Sequence, residues 1–338
     1  MRRVPARVTN LTLLAALLLV FATGVGAVAS GTERGRWIVI GHGAAGLLVV
    51  LMIPAKLVVV RAGLRLHRYS RWLSLGLAVL AVAALLFGIG HSTGLVRSVG
   101  GFDGLWLHVA AALALVPQLL WHLAVRWVRP RRSDGSRRAL LRAGGLAIAA
   151  AAIYGAVELA GLPGSRRRFT GSYERGSFEP TRMPNTIWLN DTAPLLDAST
   201  WRLTVVGADG TRELSLADLH AGSGSGLVTR RALLDCTSGW YAEQDWTGVP
   251  VTDLIPSAGS ARSLLVRSHT GYWVRLPIGD LEHLLLATEV GGRPLSPGHG
   301  YPLRLVAPGR RGFWWVKWVD RIELSDAPPW WQPPFPVT

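Results

Sequence analysis

Long apolar runs alternate with short arginine-rich segments through the first half of the chain. Each of the five runs is close to the ~20 residues that an α-helix needs to cross a bilayer. We therefore predict that residues 1–165 form an all-α membrane bundle of five transmembrane helices. Lys56 lies near the end of its run, and we expect its amine to extend to the interface. The predicted spans are residues 11–29, 37–60, 72–90, 105–125 and 139–162.

The pattern changes at about Phe169, where short alternating runs are separated by Gly, Pro and Asp-Gly turns. Such alternation predicts β-strands, and the domain at residues 166–338 is long enough to bury its own core. We expect an α+β fold with two hairpins, one after 201–206 and one between 264–266 and 272–276. The other predicted strands are residues 303–306 and 316–324, and the predicted short helices are residues 249–255 and 278–286.

The formal net charge of +15 at pH 7 comes from the apolar half. Residues 1–168 hold 21 Arg and Lys against 4 Asp and Glu, whereas residues 169–338 hold 15 against 17. Positive loops beside apolar spans orient membrane helices, so this charge does not indicate nucleic-acid binding. We place the arginine-rich segments 61–71 and 126–138 in the cytoplasm with the amino terminus. Residues 163–338 then lie on the extracytoplasmic side of the cell membrane.

Two segments have features of targeting signals. The first apolar run follows three arginines, as in a signal peptide, but the four spans behind it favour a retained helix. The segment Ser136–Arg142 places Arg137 and Arg138 before an apolar helix of small residues. It resembles a twin-arginine export signal, which targets domains that fold before they cross a membrane. The alternative is one more positive loop on the cytoplasmic side.

Histidines in the predicted spans suggest a haem. His108 and His122 are 14 residues apart, which places them within ~40° of one helix face and ~21 Å apart along the axis. This spacing resembles the haem-binding helices of membrane cytochromes b. His42 and His108 are predicted at similar depth in the membrane, near its outer side, as the two axial ligands of one haem must be. His91 is an alternative ligand at that depth. His122 has only the loop residue His67 available, so we expect one outer haem b. Alternatively, these histidines serve packing and hydrogen bonding.

Two segments of the second domain carry a combined motif. The first is LLDCTSGWY at 233–241, followed by DWTGVPV at 245–251. The second is HGYPLRLVAPGRRG at 299–312, followed by VKWV at 316–319. In the first segment a lone cysteine precedes W-x-G-x-P, and in the second segment G-x-P-x-R precedes P-G-x-x-G and V-K-W. Together these motifs resemble the molybdopterin-binding domain of the sulfite oxidase superfamily. The resemblance covers most of residues 180–326 and does not extend to the apolar half.

The resemblance implies a role for each of five residues. Cys236, the single cysteine, would be the catalytic molybdenum ligand, since a soft thiolate suits this metal. Arg304 and Lys317 would bind the molybdopterin and its phosphate, and His299 and Asn190 would make further cofactor contacts. Without the motif, Cys236 would be interpreted as a small buried apolar residue. Arg304 and Lys317 would be interpreted as part of a solvated strand face.

The residues after the cysteine differ from those of sulfite oxidases, which have an asparagine and arginines suited to a sulfite dianion. Here the segment Thr237–Tyr241 reads TSGWY. The Cys-x-x-x-Trp spacing is closer to the periplasmic branch of the superfamily, which includes methionine-sulfoxide reductases. This departure makes sulfite a less favoured substrate.

The sequence thus predicts a membrane-anchored molybdopterin-dependent oxidoreductase that performs two-electron oxo transfer on a small extracytoplasmic substrate. Electrons would pass through the membrane domain, by way of haem b, to or from quinone. One alternative is a haem-free anchor served by a soluble redox carrier, and another is a binding module without catalysis. The predicted partners are the lipid bilayer, the substrate, and quinone or another redox carrier, with no nucleic acid.

Overall fold

The protein consists of two compact units, Met1–Tyr173 and Glu174–Thr338. The first unit is helical, and the second contains two β-sheets. The predicted order, a helical unit followed by a sheet-containing domain, is therefore confirmed. The computed structural model describes residues 6–66, 71–187, 192–221 and 226–332.

Five helices of the first unit are each long and apolar enough to cross a membrane, as the apolar runs predicted. Large apolar side chains on their outer surfaces are exposed, including Leu18, Val79, Leu113 and Ile148. A short hairpin separates the third and fourth helices. The helices are α1 Ala6–Ala29, α2 Arg36–Leu66, α3 Arg71–Thr93, α4 Gly104–Val125 and α5 Arg137–Leu159, and the hairpin strands are β1 Ser98–Val99 and β2 Phe102–Asp103.

The second unit is built from short strands joined by turns. In chain order its strands are β3 Tyr173–Glu174 at the division between the units, β4 Leu203–Gly207, β5 Gly210–Leu214, β6 Val228–Asp235, β7 Trp240–Pro250, β8 Ser263–Ser268, β9 Trp273–Pro277, β10 Leu285–Val290, β11 Arg293–Pro294, β12 Arg304–Val306 and β13 Val319–Ser325. Its short α-helices are α6 Leu216–Ala221 and α7 Val251–Leu254.

These strands form two sheets around one core. One sheet has the order β5-β4-β13-β8-β9, in which β4 and β13 are parallel and the other neighbours antiparallel. In the other sheet, β7 pairs with β6 and β10, and β10 also pairs with β11 and β12. The core contains buried side chains from both sheets, such as Leu203, Trp246, Leu264 and Leu286.

Both predicted hairpins are confirmed. The strand predicted at 201–206 overlaps β4, which pairs with β5 up to Gly207 and Gly210. The strands predicted at 264–266 and 272–276 overlap β8 and β9, which are antiparallel neighbours. In both cases a glycine-containing turn interrupts an alternating pattern, and that local signal is sufficient to predict a hairpin.

The predicted helix at 278–286 is wrong at its last three residues. Ile278–His283 forms a 3₁₀-helix, and Leu285–Val290 is strand β10. This strand is paired on both sides, and its first three residues are fully buried and all apolar, so this part of the sequence does not alternate. Periodicity alone does not separate such a buried strand from a helix.

The predicted helix at 249–255 is shorter than expected, because Val249 and Pro250 complete β7 and only Val251–Leu254 is helical. The hairpin of β6 and β7 did not stand out as alternating runs. Its pairing extends from Val228 opposite Gly248 to Asp235 opposite Tyr241. The turn of this hairpin contains the single cysteine of the chain.

Candidate active site

Cys236 occupies a tight turn between two paired strands. Its amide donates a hydrogen bond to the carbonyl of Trp240 at 2.8 Å, and the amide of Gly239 donates to the carbonyl of Cys236 at 3.2 Å. Gly239 has a φ of 96°, a conformation that glycine adopts without strain. A Cβ at Gly312 would lie 3.0 Å from the Cα of Cys236, so this second glycine permits a close backbone approach. The turn therefore holds the thiol in a fixed position.

Two hydroxyl groups link the cysteine sulfur to an indole. Ser238 Oγ lies 3.1 Å from Cys236 Sγ, and Thr186 Oγ1 lies 3.2 Å from Ser238 Oγ. The indole N–H of Trp240, which can only donate, points to Thr186 Oγ1 at 3.0 Å. A thiolate sulfur can only accept hydrogen bonds. In that state Ser238 Oγ donates to the sulfur, and Thr186 Oγ1 donates to Ser238 Oγ. The buried Ser238 hydroxyl is thus placed to stabilise a thiolate.

Arg311 was missed by the sequence reasoning, although it contacts the same turn. Its guanidinium donates to the carbonyl of Cys236 at 3.1 Å and lies 3.7 Å from the carboxylate of Asp235. The neighbouring Arg310 instead pairs with Asp280 at a partly exposed position. Nothing in the local sequence distinguishes the two adjacent arginines, because burial of one of them depends on the tertiary fold.

Arg304 is a buried cation, and one of its N–H groups donates to no described residue. Its side chain is only 3% exposed, Nη1 donates to the carbonyl of His299 at 3.0 Å, and Nε has no hydrogen-bond partner among the described residues. The guanidinium carbon lies 5.3 Å and 5.8 Å from the ring centroids of Trp246 and Trp315. Burial lowers the pKa of Arg304 to about 10, and the nearby charge of Cys236 partly offsets this effect. Arg304 therefore stays charged at pH 7 and is suited to bind an anion.

Lys317 connects two loops beside Arg304. Its ammonium donates to Asn185 Oδ1 at 2.8 Å, to the carbonyl of Thr186 at 2.9 Å and to the carbonyl of Gly298 at 2.6 Å. The three N–H donors of the ammonium are therefore all used within the protein. These contacts give Lys317 a bracing role, and direct phosphate binding by this residue stays a prediction.

His299 is held as a neutral imidazole. Nε2 donates to the carbonyl of Met183 at 3.2 Å, which leaves Nδ1 to accept from Ser296 Oγ at 2.8 Å. Burial, followed by the charges of Arg304 and Lys317, lowers the pKa of His299 to about 4. Both ring nitrogens are thus engaged with the protein, and the predicted pterin contact of this residue stays a prediction.

The predicted amide contact, Asn190, lies outside the described residues. Asn185, which the sequence reasoning did not single out, occupies the rim of the site instead. A Cβ at Gly298 would lie 1.9 Å from Asn185 Nδ2, so a larger residue there would displace the Asn185 side chain. The spacing of the H-G-Y-P segment did not reveal this close approach.

The arrangement fits a cofactor that brings its own metal ligands. Within the described residues, no three His, Cys, Asp or Glu side chains are grouped to hold a metal ion. A metal at Cys236 would therefore take one thiolate from the protein and its remaining ligands from the cofactor. The buried guanidinium of Arg304 supplies the positive charge that an anionic pterin phosphate requires.

In the helical unit, His42 of α2 and His108 of α4 face each other. Their ring centroids are 5.8 Å apart and their planes are inclined by 81°. His42 Nδ1 lies 3.0 Å from the carbonyl of Val20, and His108 Nδ1 lies 2.7 Å from the carbonyl of Ala84. A carbonyl only accepts, so Nδ1 carries the proton in both rings and Nε2 presents a lone pair. The two Nε2 atoms are thus suited to bind a metal.

Neighbouring glycines leave room for the two rings. A Cβ at Gly24 would lie 3.2 Å from His42 Cε1, and a Cβ at Gly88 would lie 2.8 Å from His108 Nδ1. His91, the competing partner, is instead buried and hydrogen bonds through Nε2 to the carbonyl of Gly171 at 2.7 Å. The loop residue His67 lies outside the described residues.

Comparison with known proteins agrees with the chemistry of the second unit. Residues 190–331 match the family described as oxidoreductase molybdopterin binding domain. The chain is 31% identical over 179 residues to mitochondrial sulfite oxidase of Rattus norvegicus, a match covering 42% of this chain and 33% of the relative. The chain therefore spans about a third of the length of that sulfite oxidase.

Two further proteins are similar over a comparable part of the chain. The uncharacterised oxidoreductase YuiH of Bacillus subtilis (strain 168) is 30% identical over 145 residues, which cover 40% of this chain and 72% of the relative. The sulfane dehydrogenase SoxCD from Paracoccus pantotrophus matches with a TM-score of 0.37 and 26% identity, over 40% of each chain. Because it covers most of the Bacillus relative and contains the matched domain, this chain belongs to the family of oxidoreductases with a molybdopterin-binding domain.

Proposed function

We propose that the chain is a membrane-anchored molybdenum oxidoreductase that transfers an oxo group to or from a small extracytoplasmic substrate. The observation that carries this proposal is the buried Arg304, whose Nε has no partner among the described residues, close to the single thiol of the chain. When bound, molybdopterin supplies a metal that changes oxidation state by two electrons as an oxo group is gained or lost. Cys236 provides its protein ligand.

The remaining residues hold the cofactor and its ligand in place. Ser238 donates a hydrogen bond to the thiolate of Cys236 and so stabilises its negative charge. Arg304 binds the anionic part of the cofactor through charge-assisted hydrogen bonds. Lys317 fixes the loops at residues 185–186 and 298, which form the rim. Each of these tasks is performed by a side chain with a defined contact.

The substrate that suits this site best is a neutral oxo compound, such as a sulfoxide or an N-oxide. The residues that follow the ligand, Thr237–Tyr241, contain no cation. Arg311 is engaged with Asp235 and with the carbonyl of Cys236. A sulfite dianion requires exposed cations beside the metal, so the site favours the methionine-sulfoxide-reductase-like branch.

The helical unit anchors the enzyme and carries its electrons. Five apolar helices with exposed apolar side chains suit a lipid environment, and the arginine-rich loops orient the second unit to the extracytoplasmic side. His42 and His108 would hold a haem b through their Nε2 atoms, since Nδ1 of each ring faces a backbone carbonyl. Such a group would supply one-electron transfer between the molybdenum centre and quinone.

Metal and pterin analysis of the purified full chain tests the enzyme proposal. We expect about one molybdenum and one pterin per chain in protein made by cells that synthesise the cofactor. Arg304→Ala should lower both, because it removes a buried charge-assisted contact worth about 1.5–3 kcal/mol. Arg310→Ala is the matched control, since this nearby arginine pairs with Asp280 and should retain the cofactor. Wild-type protein without molybdenum would favour a non-catalytic binding module.

A further inference from the structure

Three side chains form a hydrogen-bonded series that ends on the sulfur of Cys236. Ser238 Oγ lies 3.1 Å from the sulfur and 3.2 Å from Thr186 Oγ1. Trp240 Nε1 lies 3.0 Å from the same threonine oxygen. Ser238 and Trp240 belong to the turn that carries the cysteine, whereas Thr186 precedes Ser238 by 52 residues. The side chains of Ser238, Thr186 and Trp240, here called the sulfur network, thus join this turn to a distant segment.

The indole at the far end of the sulfur network sets the direction of its hydrogen bonds. The N–H of Trp240 can only donate, so Thr186 Oγ1 accepts from it and keeps its own proton for Ser238. Ser238 then has its proton free for the sulfur. With a thiolate, which only accepts, this is the one direction in which all three hydrogen bonds form. Because such bonds polarise one another, loss of a far member should weaken the bond at the sulfur.

The sulfur network lies in a buried and braced part of the second unit. Cys236 is only 8% exposed, and Ser238 and Trp240 are each 3% exposed. A hydrogen bond is electrostatically stronger in such surroundings than in water. Lys317 donates to the carbonyl of Thr186 at 2.9 Å, which fixes the backbone that carries the middle hydroxyl. The donor to the sulfur is therefore held in place by contacts on both sides of it.

We propose that the sulfur network raises the reduction potential of molybdenum bound to Cys236. This inference rests on the proposed function, because it concerns the protein ligand of that metal. A hydrogen bond withdraws electron density from a thiolate and makes it a weaker donor to its metal. A weaker donor favours the reduced metal, and hydrogen bonds to ligand sulfur tune the potentials of copper and iron–sulfur centres in this way. Ser238 acts on the ligand directly, and Thr186 and Trp240 are positioning residues that act through Ser238.

The midpoint potential of molybdenum tests this proposal, followed by electron paramagnetic resonance during redox titration of the full-length protein. Ser238→Ala should shift the potential downward, because the donor to the sulfur is lost. Thr186→Val should shift it in the same direction by a smaller amount, since it removes the next hydrogen bond. Ser238→Thr should keep the wild-type potential, because it retains the hydroxyl. Thr229→Val is the matched control, since its hydroxyl lies 2.9 Å from that of Thr247 at an exposed position of the same two strands.

Molybdenum content, measured in the same samples, separates this proposal from the function on which it rests. An unchanged potential in metal-loaded Ser238→Ala would overturn the sulfur network and leave the enzyme proposal intact. Equal shifts in Ser238→Ala and Ser238→Thr would also overturn it, because packing and not the hydroxyl would then set the potential. If Ser238→Ala binds no molybdenum, Thr186→Val decides: a downward shift supports the proposal and an unchanged potential contradicts it. Wild-type protein without molybdenum would overturn the proposed function and this inference with it.

Discussion

Arg311 and Asp235 form an ion pair in the interior of the second unit. The guanidinium Nη1 lies 3.7 Å from the carboxylate Oδ1, and the two side chains are only 2% and 3% exposed. Arg311 Nη2 also donates to the carbonyl of Cys236 at 3.1 Å. The pair therefore ties the P-G-x-x-G segment to the turn that carries the thiol.

Replacing Arg311 with alanine should lower the free energy of unfolding by about 3–5 kcal/mol, because the buried carboxylate of Asp235 would lose its partner. Arg310→Ala is the matched control, since its pair with Asp280 is partly exposed and should be worth only about 0–1 kcal/mol. Chemical unfolding of the full chain in detergent, followed by tryptophan fluorescence, measures both losses. Equal losses in the two variants would show that the buried pair has no special role.

The contribution of His299 to stability should depend on pH. Its pKa is lowered from 6.5 to about 4 in the folded protein, so the folded state favours the neutral ring. Between these two values the unfolded chain binds a proton that the folded chain does not, and the contribution of His299 falls as the pH falls. The difference in unfolding free energy between wild type and His299→Gln should therefore be constant above pH 6.5 and shrink toward pH 4. A difference that grows on acidification would mean that the folded state prefers the charged ring.

Features that depend on local pattern were predictable from the sequence. The five apolar helices and the two hairpins follow from the length of apolar runs and from alternation before a turn. Leu285 and Leu286, the first residues of strand β10, were assigned to a helix because burial on both faces removes that alternation. Local pattern therefore identified the long helices and two hairpins but missed β10 and the hairpin of β6 and β7.

Features that depend on pairing between distant segments were not predictable. Arg310 and Arg311 are neighbours in sequence, yet only the fold buries one of them beside Asp235. Lys56 was expected at the interface because of its place near the end of an apolar run. Its Nζ instead donates a hydrogen bond to Asn10 Oδ1 of α1, a contact that depends on how α2 packs against α1 and that the sequence of either helix does not specify.

Loss of either facing histidine should remove the same haem. We expect His42→Ala and His108→Ala each to lose one low-spin haem, because each deletes one axial ligand of a shared iron. His91→Gln should keep it, since His91 is held by the carbonyl of Gly171. Haem content and the Soret spectrum of the purified variants measure this. Loss of the haem in His91→Gln with retention in His42→Ala would assign the ligand pair differently.

Export of the second unit should require the paired arginines at the start of α5. Arg137 and Arg138 are exposed and follow Ser136, whose Oγ accepts a hydrogen bond from the amide of Ala139 at 3.4 Å. Lysine at both positions keeps the charge, so a loop that acts only through charge would function normally. We expect Arg137→Lys/Arg138→Lys to leave the second unit protected from protease added outside, with the first four helices still inserted. Normal accessibility of that variant would favour the simple positive loop.

The most direct measurement for the central claim is oxo transfer by Cys236→Ser. Serine is close to cysteine in size, and Arg304 offers its contact independently of the thiol, so folding and pterin content should stay close to those of the wild type. Turnover should be abolished with sulfoxides, N-oxides and sulfite, because the only protein ligand proposed for the metal is gone. Molybdenum and pterin content are measured in the same samples, so that lost turnover is not confused with lost cofactor. Wild-type turnover in Cys236→Ser would contradict the account.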